Sequence, residues 1–221
     1  AKVHGIIVAA TTGEYYAHTA QERYDLAKHA KEVIGSRVPL MIGTGAIRTE
    51  DSVEYAKVAK EIKADSILVT TPPYALPTEK ETAVHALTID KAADLPIMFY
   101  NYPARMGVTM GKEFFDTVFA ESKNFIGIKE SSGDMNQLHM LARNYPNLNI
   151  SCGWDDQALE FFAWGARSWV CAGSNFVPHE HIALYEACVL EKDFDKGRRI
   201  MMAMLPLMDY LETGHFIQCI K

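Results

Sequence analysis

Gly5-Ile6-Ile7-Val8-Ala9-Ala10-Thr11-Thr12-Gly13-Glu14 is the stretch on which the fold turns. It opens as an unbroken apolar run, the pattern of a strand covered on both faces, and runs out into two hydroxyls and a glycine. A dinucleotide-binding sheet would place G-x-G-x-x-G at this exit, with a ribose-binding acid about 20 residues further on. This exit carries a single glycine. In a (β/α)8 barrel, polar residues and glycines instead follow nearly every strand, because the site is assembled from all the C-terminal strand ends.

The exits downstream fit the barrel pattern. They are Gly43-Thr44-Gly45, Thr71-Pro72-Pro73-Tyr74, Tyr100-Asn101-Tyr102-Pro103-Ala104-Arg105, Lys129-Glu130-Ser131-Ser132-Gly133-Asp134, Cys152-Gly153-Trp154-Asp155-Asp156 and Ala172-Gly173-Ser174-Asn175. The apolar runs before them predict strands over residues 4–10, 38–42, 66–70, 96–100, 125–129, 149–152 and 168–172. Helical patterns fill the gaps, which is the rhythm of a parallel sheet. Thr19-Ala20-Gln21-Glu22 and Thr78-Glu79-Lys80-Glu81 fit the capping box, and Asp134-Met135-Asn136-Gln137 resembles it. Seven strands are one short of a closed barrel, so a first strand is expected before Ala1. Two helical stretches, near 178–190 and 194–212, exceed what one βα unit needs. Residues 1–175 are therefore expected to carry barrel strands two to eight. Residues 176–221 would hold the last barrel helix and the start of a C-terminal helical region.

Composition narrows the class of function. The chain has 221 residues, 48% of them hydrophobic and 23% charged, with a net charge of -6. That describes a globular domain with a full core rather than a disordered or fibrous chain. The acidic balance argues against nucleic acid and anionic membrane surfaces, both of which call for clustered Lys and Arg. No run approaches the ~18 apolar residues of a membrane span, and no secretory leader pattern is present, so a cytoplasmic protein is expected. Cys152, Cys171, Cys188 and Cys219 lie far apart with no C-x-x-C pair, which fits reduced thiols rather than a zinc or dithiol site. The chain starts at Ala1 inside a folding pattern and ends without a tail, and it reads as part of a longer protein.

Lys129 is the most informative single residue. It closes the apolar run Phe125-Ile126-Gly127-Ile128, where a barrel strand directs it to the lumen or the mouth. A structural ion pair, for example with Glu130, is one reading. The other is an amine nucleophile, with desolvation favouring the neutral amine that attacks a carbonyl and forms a Schiff base. Tyr100 also ends a strand, as a proton carrier or as a core phenol. Arg105, in the loop that follows, has the forked donors that suit a carboxylate. Thr11 and Thr12 with Gly13 offer hydroxyls and backbone N–H groups in a tight turn, a weak anion nest. His179 and His181, two apart on a helix, point away from each other, so a shared metal is not expected. Asp155-Asp156 is read as the N-cap of the helix beginning near Gln157 rather than as a metal ligand pair. Trp154, Trp164 and Trp169 are read as packing residues, and Ser174 lacks a nucleophile-elbow context.

Taken together and in order, T-T-G-E at 11–14, G-T-G at 43–45, T-P-P-Y at 71–74, Y-N-Y-P-A-R at 100–105, G-I-K-E at 127–130 and G-W-D-D at 153–156 resemble the dihydrodipicolinate synthase/N-acetylneuraminate lyase family of class I aldolase-type barrels. The resemblance spans essentially the whole chain. It implies that Lys129 is the Schiff-base lysine and Tyr100 the proton-transferring tyrosine. It further implies that Thr12 links a tyrosine pair whose second member, Tyr74, reaches in from a neighbouring subunit. Thr11, Gly173 and Ser174 would line the keto-acid pocket, and Arg105 would bind the carboxylate of the aldehyde substrate. The implied assembly is a homodimer or homotetramer, and the implied reaction needs no metal or organic cofactor because the imine on Lys129 is the electron sink.

Arg105 favours the branch that joins pyruvate to aspartate semialdehyde. Ala10, Tyr15-Tyr16-Ala17 and Ala75-Leu76 depart from that branch around the second-substrate region. A 2-keto-3-deoxy sugar-acid aldolase or dehydratase, a cyclic imino acid deaminase, and a 2-oxo-acid-binding barrel without turnover are the alternatives. A metal-dependent aldolase is disfavoured, since no strand exit presents clustered histidines.

Overall fold

The computed structural model describes residues 2–212 and 215–221. Seven strands form in the predicted places: β1 (Ile6–Val8), β2 (Leu40–Gly43), β3 (Ser66–Thr70), β4 (Ile97–Asn101), β5 (Phe125–Glu130), β6 (Asn149–Cys152) and β7 (Ser168–Trp169). Each strand lies beside its predecessor in the chain, in the order β1-β2-β3-β4-β5-β6-β7. A doubly wound sheet reverses its strand order at a switch point, and this one never does. Strand–helix alternation without reversal is the connectivity of a (β/α)8 barrel, with seven strands present. β1 and β7 are shorter than the apolar runs at 4–10 and 168–172 predict.

The chain packs as two compact units, one running from His4 to Ile128 and the other from Lys129 onwards together with Lys2 and Val3. The first holds β1 to β4, the start of β5, and α1 (Ala20–Ile34), α2 (Thr49–Glu61), α3 (Glu79–Ala93), α4 (Pro103–Met106) and α5 (Lys112–Glu121). Its strands pair in parallel with Ile6 against Leu40, Ile42 against Ile67 and Thr70 against Tyr100. Both predicted capping boxes are present: the Thr19 and Thr78 hydroxyls accept from the Glu22 and Glu81 N–H groups, and each glutamate reaches back to its threonine. The core centres on Phe99, whose ring meets Phe114 edge-on at 4.7 Å and stacks on Phe125 at 4.6 Å. Burying each such ring contributes about 1.5–3 kcal/mol. The Glu79 carboxylate at the start of α3 accepts the Phe114 N–H in the first turn of α5, so one residue serves two helix starts.

The second unit holds the end of β5, β6, β7, α6 (Met135–Asn144), α7 (Ala158–Ala163), α8 (Pro178–Tyr185), α9 (Phe194–Glu212) and α10 (Phe216–Ile220). Asp134 caps α6 by accepting the Asn136 N–H. β6 and β7 pair with Cys152 against Trp169. Helix α8 widens into a π turn over Glu186–Leu190, with the Glu191 N–H bonded to the Glu186 carbonyl. Met204, Met208 and Leu211 of α9 make the core here, packed against Trp169, Val177 and Phe216. Among the described residues no helix is long and apolar enough to cross a membrane.

Candidate active site

Each unit carries its own group of the residues singled out from the sequence. In the first unit they sit at the C-terminal ends of β1, β3 and β4, where the apolar strands give way to polar turns. Thr11 is buried and its hydroxyl has no hydrogen-bond partner among the described residues, while Thr12 is half-buried. The turn they occupy is closed by the Glu14 N–H donating to the Thr11 carbonyl at 2.9 Å, with Ala9 and Glu14 both at positive φ. Tyr100 is 3% exposed, and its ring stacks on that of Tyr102 at 5.5 Å. The loop predicted after it contains a helical turn, α4, because Pro103 presets the first helical position, so Arg105 stands exposed on a helix rather than in a loop. Tyr74 is 90% exposed with φ of 71°.

In the second unit Lys129 is the last residue but one of β5 and is 8% exposed. Gly153, at the exit of β6, makes room for it. A Cβ there would lie 2.7 Å from the Lys129 Cγ and 2.8 Å from its Cε, so any larger residue would displace the lysine stem. The neighbouring Glu130 directs a carboxylate oxygen to the Ser132 N–H at 2.7 Å, and its carbonyl accepts the Gly153 N–H at 2.8 Å. The Lys129 charge interacts with the carboxyl groups of both Asp155 and Glu212.

The expected N-capping role of Asp155-Asp156 is overturned. Neither side chain caps α7 or the turn before it. Asp155 is buried and accepts the Ala172 N–H at 3.0 Å, the Gly173 N–H at 2.8 Å and the Trp169 Nε1–H at 3.2 Å. Tertiary donors 14 to 18 residues downstream outcompete the local cap. Burial raises its carboxyl group above the usual range, against the pull of those N–H groups and of Lys129. Gly173 thus spends its N–H on Asp155, and a Cβ on it would meet the His181 ring at 2.7 Å. The Ser174 hydroxyl donates to the Cys171 carbonyl. Trp169 stacks on His181 at 4.3 Å as a packing residue, whereas Trp164 is 52% exposed and leans on His139.

Arg23 and Glu212 were not singled out in the sequence, and Tyr15 was named there only as a departure from the synthase branch. Arg23 is buried on α1 and donates to the Gly43 and Gly45 carbonyls. It shares one helix face with the buried Ala27 and Ile34, and that spacing was a visible signal. Tyr15 is buried against Gly45. Glu212, in the last turn of α9, accepts the Asp155 N–H, and burial with the Asp155 and Asp156 carboxyls nearby pushes its carboxyl group up to about 7. Among the described residues no group of three or more His, Cys, Asp or Glu side chains is arranged to hold a metal ion. The four cysteines are free thiols.

The whole chain, residues 1–221, matches the model of the dihydrodipicolinate synthetase family. The chain is 36% identical over 220 residues to the 4-hydroxy-tetrahydrodipicolinate synthase of Kosmotoga olearia, an alignment covering 96% of this chain and 74% of that protein. Among solved structures, the dihydrodipicolinate synthase of Aquifex aeolicus is similar at 30% identity and a TM-score of 0.91, over 96% of this chain and 73% of that one. The chloride-inhibited dihydrodipicolinate synthase of Acinetobacter baumannii complexed with pyruvate is similar at 26% identity and a TM-score of 0.90, over 98% of this chain and 75% of that one.

Proposed function

The chain belongs to the dihydrodipicolinate synthetase family, and from that membership we propose that it is a lyase-class synthase that joins pyruvate to aspartate semialdehyde through an imine on Lys129. The lone pair of the Lys129 Nζ attacks C2 of pyruvate, and the carbonyl oxygen leaves as water. The resulting iminium draws electrons from C3, which loses a proton to give an enamine that attacks the aldehyde carbon. Because the protonated imine is itself the electron sink, the step needs no metal or organic cofactor.

Tyr100 is proposed to carry the protons to and from the carbinolamine oxygen, linked through Thr12 to Tyr74 of a second copy of the chain. Arg105 would hold the carboxylate of the aldehyde. The unpartnered hydroxyl of Thr11 and the segment Gly173-Ser174 would receive the carboxylate of the keto acid. The Gly173 N–H is already bonded to Asp155 and a Cβ on Gly173 is excluded by the His181 ring, so Ser174 is the member of this segment proposed to face the keto acid. The proposed setting is the cytoplasm, where four free thiols stay reduced.

The observation that supports this reading best is the burial of Lys129 at a strand end, with Gly153 kept bare along its stem. Borohydride added with pyruvate is expected to fix one three-carbon unit irreversibly on Lys129, read by peptide mass. A folded chain that stays unmodified at Lys129 overturns the imine. A panel setting cyclisation with aspartate semialdehyde against pyruvate release from 2-keto-3-deoxy sugar acids identifies the second substrate.

A further inference from the structure

Arg23 lies near the start of α1 and is 5% exposed, although a guanidinium loses much of its hydration on burial. Among the described residues its charge is met by carbonyls and rings rather than by a carboxylate. Nη1 donates to the Gly45 carbonyl at 2.8 Å and Nη2 to the Gly43 carbonyl at 2.7 Å. Its Cζ sits 3.5 Å from the centre of the Tyr55 ring and 5.3 Å from that of Tyr15.

Those bonds hold a tightly fitted turn. A Cβ on Gly43 would come 2.1 Å from the Ala9 carbonyl oxygen, just before Thr11. A Cβ on Gly45 would lie 3.1 Å from the Tyr15 ring and 3.2 Å from the Thr70 hydroxyl. Thr70 is the register partner of Tyr100, and the Tyr15 phenol is close enough to that of Tyr100 to interact with it electrostatically. A chain of contacts therefore runs from Arg23 through Gly45 to Tyr15 and Thr70, and from these to Tyr100.

We propose that Arg23 is a positioning residue for the Tyr100 phenol, fixing the Gly43–Gly45 turn and the Tyr15 ring beside it and setting a buried positive charge behind them. The proposal rests on the reading of Tyr100 as the proton carrier. A fork that grips two carbonyls at once cannot be reproduced by lysine, whereas the charge can. The two substitutions Arg23→Lys and Arg23→Met therefore separate grip from charge.

Two rates are read on the full chain with pyruvate. Borohydride trapping at Lys129 reports imine formation. Exchange of the pyruvate methyl protons with solvent deuterium reports the proton transfers that follow. Arg23→Met is expected to slow trapping and exchange alike by about tenfold or more, since Tyr100 serves the carbinolamine as well as the steps that follow. Its exchange profile should shift to higher pH, since a positive charge that favoured phenolate character is gone. Arg23→Lys should restore the profile and part of the rate. Gly45→Ala keeps Arg23 and every polar group but presses on Tyr15 and Thr70, so it should slow both rates without shifting the pH profile, and it tests the turn if the Arg23 variants do not fold.

Rates that equal the parent's in folded variants, or that fall in Arg23→Met with the pH profile unshifted and unrescued by Arg23→Lys, overturn the proposal and leave Arg23 a purely structural residue. A parent chain that traps no pyruvate retires the imine reading itself, a failure distinct from that of a parent that traps normally and variants that match it.

Discussion

The Asp155 carboxylate, at the exit of β6, accepts the Gly173 N–H at 2.8 Å and so fastens the exit of β7 to it. The same oxygen accepts the Ala172 N–H, and the other accepts from the Trp169 indole. Asp155→Ala strands these donors in a buried place, and each unsatisfied donor costs about 1–3 kcal/mol. Allowing for water reaching some of them, a loss of about 3 kcal/mol in urea denaturation is expected. Asp155→Asn keeps one acceptor oxygen and should lose about half of that. A loss near zero for the alanine variant would mean that the β7 exit holds its shape unaided.

Tyr100→Phe removes one oxygen from a ring that keeps its stacking on Tyr102. Stability should change by less than about 1 kcal/mol, the net worth of a typical hydrogen bond. Turnover should fall about 100-fold or more if the phenol transfers protons. Steady-state kinetics beside a denaturation curve separate the two effects, and unchanged turnover would return Tyr100 to the core.

His85 is buried on α3 with its Nδ1 2.9 Å from the Thr49 hydroxyl and a backbone hydrogen bond to Thr70. Burial holds the imidazole down at about 4, against 6.5 for an ordinary histidine. Between those values the unfolded chain binds more protons than the folded one, so stability rises with pH through that window and is lost as pH falls towards 4. The size is roughly 3 kcal/mol at 1.36 kcal/mol per pH unit. Urea midpoints measured at pH 4.5 and 7 should therefore converge in His85→Gln relative to the parent.

Glu212 acts in the opposite sense. Its carboxyl group is raised to about 7 from 4.5, so the folded chain holds the proton that the unfolded chain has given up. Stability attributable to this group therefore falls as pH climbs from 4.5 to 7. Glu212→Gln should be more stable relative to the parent at pH 8 than at pH 5. An equal difference at both would show that the carboxyl group titrates normally.

Some of this molecule was legible in the order of its residues because the causes are local. The capping boxes at Thr19 and Thr78 are decided within four residues, and strands such as Ser66–Thr70 are continuous apolar or β-branched runs whose two covered faces leave no other reading. The strand ends bearing Lys129 and Tyr100 stand out because a polar residue closing such a run is costly without a purpose. Asp155 was misread because an aspartate before a helix has a cheap local role, and nothing nearby reveals that backbone donors from Ala172 and Gly173 arrive to claim it. Arg23 was not singled out in the sequence, where only its spacing with Ala27 and Ile34 marks it. Its burial depends on the Gly43 and Gly45 carbonyls and on Tyr55, which lies 32 residues on in the sequence.

Tyr74 combines 90% exposure with a φ of 71°, a conformation that a bulky residue adopts at a cost of about 1–3 kcal/mol. Neither feature serves the fold of its own unit, where glycine would be easier to accommodate at this φ. If the phenol completes the site of a second copy, a chain lacking Lys129 can still lend its Tyr74, and a chain lacking the Tyr74 hydroxyl can still supply Lys129. Mixing Lys129→Ala with Tyr74→Phe, after gentle dissociation and reassembly, should then give turnover above that of either variant alone. At equal ratios it should approach a quarter of the parent per chain, because half of the assembled pairs are mixed and each holds one complete site. A mixture no more active than the sum of its parts, or a chain that sediments as a monomer while fully active, would place Tyr74 outside the reaction.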